Sequence, residues 1–503
     1  MVLRKILIAN RGEIAVRIVR ACRDLELSSV AVYSEHDRAA LHVRLADEAV
    51  SIGPSAPAAS YLRVDRIIEA AVATGADAVH PGYGFLAENP ALAEACAANG
   101  LTFIGPPGPV MALLGSKTAA RHAARAAGLP LVPGTLDAID RHAADAEVLR
   151  AAADVGYPLM VKAVEGGGGK GMRLVHGEDE LIGAVQSCRS EAMASFGDDA
   201  VYMERSIARP RHVEVQVLGD THGTVRAFVE RECSIQRRHQ KLIEETPSPS
   251  VTPDIRRALL AAAGHLASSV GYVNAGTVEF LLDADGRFYF LEMNTRLQVE
   301  HGITELVTGI DLVEWQIRVA RGEALTLDAD RLVAPRGHAI ECRISAEDPD
   351  AGFLPSPGRL DGLDVPSGPG IRDDSGVEAG AEIPVYYDPL ISKLMAWGTD
   401  RAQALSRMRR ALREYHVLGV RTTVPFFRWL LDQDAFEKGD FHTGTVDTIL
   451  QERRGAGFTQ RDPSLEEVAL MATALDLAMR SRSASGSPAS AWAAAARREG
   501  LRG

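Results

Sequence analysis

The 503-residue sequence contains no apolar run of the roughly 18 residues that a membrane span requires. Its opening segment, Met1-Val2-Leu3-Arg4-Lys5-Ile6-Leu7-Ile8, lacks a hydrophobic stretch followed by a small-residue cleavage site. It reads as a first strand, and a cytoplasmic protein with no membrane partner is expected. Cysteine is scarce. Cys22, Cys96, Cys188, Cys233 and Cys342 are scattered, with no Cys-x-x-Cys spacing and no nearby His pair. That disfavours a zinc site or a disulfide framework and fits a reducing compartment. Positive charge is not in excess: the net charge is −12, so no nucleic-acid partner is expected. Two nucleotide signatures are also missing. The first strand runs into Ala9-Asn10-Arg11-Gly12-Glu13 and not into Gly-x-Gly-x-x-Gly, which disfavours a nicotinamide cofactor. Lys170 is followed by Gly171 and not by Ser or Thr, and Gly115-Ser116-Lys117-Thr118 has its residues in the wrong order for a Walker loop.

What is present is an ordinary globular composition, 46% apolar and 24% charged, in a chain long enough for several domains. The first 130 or so residues alternate strand and helix patterns: strands at 4–9, 29–33, 77–80 and 101–104, helices at 13–25, 62–73, 90–98 and 116–127. Repeated βα units imply a parallel sheet covered on both faces. A smaller unit follows, with a strand at 158–163, a glycine-rich loop, a returning strand at 172–175, a helix at 180–194 and a strand at 200–203. From Arg211 the pattern is α+β. Val213-Glu214-Val215-Gln216-Val217 alternates, 225–231 reads as one strand, 253–270 is helical, and 276–282 with 287–293 forms a hairpin around Asp283-Ala284-Asp285-Gly286. A last helix is expected at 402–415. Beyond it lie an Ala- and Leu-rich helix at 465–480, a small-residue linker at 483–490, and an Ala- and Arg-rich end.

Three segments suggest chemistry. Gly166, Gly167, Gly168 and Gly169 fall between two strands, where glycine lets backbone N–H groups approach phosphate oxygens, and Lys162 just before them adds a point charge. A plain surface hairpin is the alternative. Second, residues 292–300 place Glu292, Asn294, Arg296, Gln298 and Glu300 at every second position, on one face if the chain is extended, with Met293, Thr295, Leu297 and Val299 on the other. If Leu282 pairs with Arg287, Glu279 lies diagonal to Glu292, close enough for one Mg²⁺ or Mn²⁺ to bridge them with Asn294 as a third oxygen donor. A solvated strand face is the alternative, but such a face seldom carries this set of types in strict order. Third, Gln236-Arg237-Arg238-His239-Gln240-Lys241 is a basic run set between apolar strand residues, suited to a small anion such as bicarbonate or phosphate.

Together these segments resemble the biotin carboxylases of acyl-CoA and pyruvate carboxylases, over roughly residues 3–450. The resemblance is carried by Lys5 to Ala15, His80-Pro81-Gly82-Tyr83-Gly84-Phe85-Leu86-Ala87-Glu88-Asn89, Glu165 to Met172, Glu230 to Lys241, Glu292 to His301, Glu341 to Pro349, and Tyr387-Asp388-Pro389-Leu390. It implies a mixed α/β and α+β fold: a Rossmann-like, pre-ATP-grasp domain over 1–116, an ATP-grasp domain over 117–330 with a glycine-rich lid at 131–204, a C-terminal α+β domain over 331–450, and a helical tail over 451–503.

The resemblance also implies roles. Lys117, Lys162 and the glycine loop would hold ATP phosphates, Glu204 and Ile207 the adenine, with His212 near the ribose and His239 also at the nucleotide. Glu279, Glu292 and Asn294 would bind Mg²⁺ or Mn²⁺, and Lys241, Arg296, Gln298 and Val299 bicarbonate. Glu300 would be the base, Arg343 would stabilise the enolate of biotin, and Tyr83 would lie near the biotin ring. The biotin would be a carrier-bound substrate, since no Met-Lys-Met occurs here. A biotin carboxyl carrier protein, carboxyltransferase subunits and a second copy of the chain are the implied partners. Gly302, where the family commonly has Pro, and Arg205, where Lys is usual, depart from the pattern. The helix at 465–480 is expected either to cap the last domain or to dock a partner protein. Other ATP-grasp ligases lack the basic run and the Glu341-Cys342-Arg343 segment, and a non-catalytic ATP-binding regulator should have lost Glu300, Arg296 or a metal carboxylate.

Overall fold

In Lys5–Ile8 (β1), Ile6 and Ile8 enter one apolar cluster with the helix Gly12–Asp24, while Leu7 enters another on the opposite face. Burial on both faces is what a parallel sheet under two helical layers demands. The computed structural model describes residues 3–164, 171–459 and 463–484. Its first sheet joins β1 to Ser28–Ser34 (β2), Glu48–Gly53 (β3), Ala78–His80 (β4) and Thr102–Phe103 (β5), all parallel, in the order β3-β2-β1-β4-β5. The third strand was not expected from the sequence. Glu48, Ala49 and Ser51 are exposed, so no apolar alternation marks it.

A separate three-stranded sheet is made by Leu159–Ala163 (β6), Met172–Val175 (β7) and Val201–Arg205 (β8), with Glu178–Phe196 as its helix. Next comes a nine-stranded sheet. Its members are Arg211–Gly219 (β9), Val225–Ala227 (β10), Arg231–Arg237 (β11), Gln240–Thr246 (β12), Asn274–Leu282 (β13), Phe288–Asn294 (β14), His338–Ser345 (β15), Ile371–Ser375 (β16) and Leu390–Gly398 (β17). They run β14-β13-β9-β11-β12-β15-β17-β16, with β10 beside β9.

The period-two pattern of β9 explains its place. Val213, Val215 and Val217 pack with Val278, Phe280 and Leu282 of β13 against the helix Pro253–Ser269, leaving Glu214, Gln216 and Glu279 on the other face. Those polar groups are buried as well, so they face other protein groups and not bulk solvent.

Two expectations are corrected. The single strand expected at 225–231 is two strands, because Ala227 pairs with Val217 and Arg231 with Glu214, leaving one extra residue that bulges the ladder. The hairpin closes on Asp283 and Arg287 with Gly286 at φ 81°, so Leu282 pairs with Phe288 and not with Arg287. A bulge at Leu291 then sets Glu279 directly opposite Glu292, not diagonal to it. The chain divides into two compact units, Met1–Ala456 and Gly457–Gly503. In the second unit the helix spans Pro463–Ala484, with Val468, Leu470, Met471, Leu475, Leu477 and Met479 exposed along it. The end of the small-residue linker and the segment after it, 485–503, lie outside the described residues.

Candidate active site

A cleft of about 930 Å³ is lined by residues that follow β1 and β4 and by side chains of the three-stranded and nine-stranded sheets. Lys117, Lys162, Glu204, Ile207, His212 and His239 line it, as do Lys241, Glu279, Glu292, Asn294, Arg296, Gln298, Val299, Arg343 and Tyr83. Glu300 lies beneath it, fully buried. Gly166, Gly167, Gly168 and Gly169 lie outside the described residues.

The basic run forms the tip of the β11–β12 hairpin. Arg238 and His239 both have positive φ, 47° and 66°, as a two-residue turn between right-twisted strands requires. A shift in register between Ile235 and Gln236 turns Lys241 into the site. Its Nζ donates to Glu214 Oε2 (2.6 Å), Glu300 Oε1 (2.7 Å) and Glu279 Oε1 (2.9 Å). Glu300 is held from its other side by Arg343 Nη2 at 3.0 Å, and Arg343 Nε donates to Glu244 Oε1 at 2.6 Å. Behind these, the wholly buried Arg231 donates to Glu214, Gln216, Thr277 and Thr304.

The strand geometry of the polar run ends at Asn294, yet its later members still converge. Gln298 Nε2 and Asn294 Nδ2 each donate to Glu279 Oε1 at 2.9 Å. Arg296 donates to Asn294 Oδ1 (3.0 Å), Gln298 Oε1 (3.3 Å) and Glu88 Oε2 (2.8 Å). His212 Nε2 stands 2.8 Å from Glu279 Oε2. Some distance along the cleft, Glu204 binds both Arg121 and Lys162. At the departures, Arg205 donates to the Val155 carbonyl at 3.1 and 2.9 Å, and Gly302 abuts Met395, whose Sδ a Cβ would meet at 2.4 Å.

Charge decides the protonation states. Burial would raise the Glu300 carboxyl, but Lys241, Arg343 and Arg231 outweigh it and hold the group well below the usual carboxylate range. Glu279 is likewise depressed by Lys241 and His212 against its burial. Burial and the nearby Glu279 push Glu292 up, Lys117 opposing them. Burial also raises Glu214, against Arg231, and lifts Glu244 to about 7, against Arg343. Glu341, directly across from Glu244, is raised well above the ordinary carboxylate value by its burial and by that neighbour.

His212, Glu214 and Glu279 bring a ligand-type atom each within 4.8 Å of one another, as do Glu214, Cys233 and Glu300. Glu214, however, is already taken by Arg231 and Lys241. Glu279, although held by Lys241, His212, Asn294 and Gln298, pairs directly across the ladder with Glu292, whose carboxyl its charge and burial push up. Sequence reasoning does not single out Glu214, Glu244, Glu88 or Arg231 as site residues. The alternation of β9 is a signal for Glu214, since its valines claim one face and leave Glu214 and Gln216 on the other.

The cleft, lined by Lys117 and Lys162 and by a Lys241 ammonium flanked by carboxylates, belongs to a chain whose matches make it an ATP-dependent ligase with an ATP-grasp domain. Three family models match the chain. They are the biotin carboxylase N-terminal domain over residues 2–111, the carbamoyl-phosphate synthase L chain ATP-binding domain over 116–328, and the biotin carboxylase C-terminal domain over 341–448. The chain is 52% identical over 442 residues to biotin carboxylase of Nostoc sp., covering 88% of this chain and 98% of that one. It is 49% identical over 447 residues to biotin carboxylase 1 of Bacillus subtilis, covering 89% of this chain and 98% of that one. The solved biotin carboxylase domain dimer of Hydrogenobacter thermophilus 2-oxoglutarate carboxylase, in complex with MgADP, ADP and bicarbonate, superposes with a TM-score of 0.86 at 43% identity, over 92% of this chain and 100% of that one. The chain belongs to the biotin carboxylase family.

Proposed function

We propose that this chain uses ATP and bicarbonate to carboxylate biotin borne by a separate carrier protein, as the first half-reaction of an acyl-CoA or pyruvate carboxylase. The observation that supports this most is Glu300, buried below the cleft with one oxygen on Lys241 and the other on Arg343. It is an anion at neutral pH, but a weak base while both cations saturate it. An incoming bicarbonate, held also by Arg296, competes for Lys241, which frees one Glu300 oxygen to accept its proton. The bicarbonate oxygen then attacks the γ-phosphate, ADP leaves, and the product is carboxyphosphate. Lys117 and Lys162 stabilise the charge on the transferring group. Glu279, Glu292 and Asn294 would hold Mg²⁺ or Mn²⁺, which supplies neutralising charge to the phosphates. Glu204 and Ile207 would take the adenine, with His212 and His239 nearer the ribose and phosphates.

Carboxyphosphate releases CO₂ and phosphate, the phosphate takes the ureido proton of biotin, Arg343 meets the charge left on the ureido oxygen beside Tyr83, and the ureido nitrogen then attacks CO₂ to form carboxybiotin. Bicarbonate would rest on Lys241, Arg296, Gln298 and Val299. We assign residues 1–116, 117–330 and 331–450 as the N-terminal, ATP-grasp and C-terminal domains, with 131–204 as the lid. We further assign a homodimer, with a carrier protein and carboxyltransferase as cytoplasmic partners. Among the described residues no helix is long and apolar enough to cross a membrane. ATP cleavage measured with and without bicarbonate and free biotin tests the reading. Bicarbonate-dependent cleavage and biotin-dependent fixation of labelled carbonate are expected, and cleavage indifferent to both would refute it.

A further inference from the structure

The strand Leu390–Gly398 is apolar at Ile391, Leu394, Met395 and Ala396, all fully buried, yet it carries a lysine among them. Lys393 is itself fully buried. Removing an ammonium from water is costly unless it is paired and hydrogen-bonded. Its Nζ stands 3.3 Å from Glu13 Oε2 and 3.9 Å from Asp374 Oδ2, and 5.9 Å from the centre of the Tyr83 ring. Its hydrogen bond runs to the Val299 carbonyl, at 2.9 Å.

That carbonyl belongs to the same planar peptide as the Glu300 N–H. In a trans peptide the two point in opposite directions, so fixing one aims the other. The preceding peptide is fixed in the same way, since the Gln298 carbonyl accepts from His301 Nδ1 (2.9 Å) and His301 N (3.3 Å). Both peptides that flank Val299 are therefore oriented from behind, and Gln298 and Val299 line the cleft.

We infer that Lys393 is a positioning residue for bicarbonate: clamped between Glu13 and Asp374, it pins the Val299 carbonyl and so aims the turn Gln298–Glu300 at the anion. The inference rests on the reading that this turn receives bicarbonate. Lys393 acts through the backbone. Its ion-pair partners are Glu13 and Asp374, whereas the Glu300 carboxylate is held by Lys241 and Arg343. It also gives a task to Glu13, which the Asn10-Arg11-Gly12-Glu13 motif brings from the first sheet to the back of the site.

The test compares the parent enzyme with Lys393→Met and with the double variant Lys393→Met/Glu13→Gln, which also removes the nearer of its two counter-charges. Initial rates of ATP cleavage are measured with bicarbonate and ATP varied separately, and folding is followed by circular dichroism and thermal melting. Loss of a charged hydrogen bond that acts only on the bicarbonate turn should raise the KM for bicarbonate about tenfold in both variants and leave the KM for ATP within about twofold. Recovery of the parent's bicarbonate KM in the double variant would reduce Lys393 to a charge-balancing group and overturn the inference. So would a fall in kcat with bicarbonate KM unchanged, or failure of both variants to fold, which would make it a stability residue. A parent enzyme without bicarbonate-dependent cleavage would instead sink the functional reading itself.

Discussion

Replacing Glu300 by Gln keeps the shape of the buried side chain and removes its charge. In the parent, one carboxylate oxygen accepts from Lys241 and the other from Arg343, at 2.7 and 3.0 Å. In the variant the amide oxygen can serve one of these cations, while the amide NH₂ confronts the other, donor against donor. Lys241 retains Glu214 and Glu279, and Arg343 retains Glu244, so neither cation is stranded. The stability cost should therefore sit near that of one charge-assisted hydrogen bond, about 2–3 kcal/mol, and below the 3–5 kcal/mol of a broken isolated pair. The catalytic cost should be larger, since an amide cannot take the bicarbonate proton: a drop of about 10²- to 10⁴-fold is expected in bicarbonate-dependent ATP cleavage. Phosphate release under saturating ATP reads the turnover, and calorimetric titration reads ATP binding, which should change by less than about threefold because the nucleotide contacts are elsewhere. A folded variant that turns over within about threefold of the parent would remove Glu300 from the proton transfer.

Arg343→Ser should cut carboxybiotin formation by at least about 10²-fold and ATP cleavage by less than about tenfold, and equal losses in the two assays would reassign Arg343 to the ATP step. Divalent cation should bind measurably only with nucleotide present, because Lys241, His212, Asn294 and Gln298 already occupy Glu279; tight Mg²⁺ binding to the free protein by calorimetry, or unaltered metal dependence in Glu292→Gln, would contradict this. Glu305 is held at about 2 against its burial by Arg17 and Arg372, down from an ordinary 4.5. A carboxyl depressed on folding adds stability that is full above 4.5 and lost as pH falls toward 2, here roughly 3 kcal/mol. Urea unfolding of Glu305→Gln should therefore show a deficit of that order at pH 7 that narrows below pH 4.5, and a deficit independent of pH would refute the assignment.

The βα repeats, the glycine-loop unit and the chemistry-bearing run at 292–300 were legible because they rest on local periodicity. What was not legible depends on single-residue insertions. Leu291 carries a bulge that no pattern announces, and it converts a diagonal Glu279–Glu292 relation into a direct one. The split after Ala227 is of the same kind. The alternation beyond Asn294 does not continue as a strand: Arg296 and Gln298 reach Asn294 and Glu279 from irregular backbone, not from a strand face. Glu244 and Lys393 escaped because their partners are distant in sequence, Arg343 on β15 for the one and Glu13 near the start of the chain for the other.

The ladder between β12 and β15 joins Ile243 to Cys342, Glu244 to Glu341, Glu245 to Ile340 and Thr246 to Ala339. Lys241 and Arg343, proposed to serve bicarbonate and biotin, lie just beyond the Ile243–Cys342 end of that ladder, on neighbouring strands about 4.8 Å apart, so one frame carries both. A slip of one residue in that pairing would turn Lys241 away from Glu300 and Arg343 away from Glu244 at once, because side chains on a strand reverse face with each step. Faults in this ladder should therefore disable both half-reactions together, whereas faults in the separate three-stranded sheet β7-β6-β8 should leave the mutual spacing of Lys241, Glu300 and Arg343 intact and show first in the handling of nucleotide.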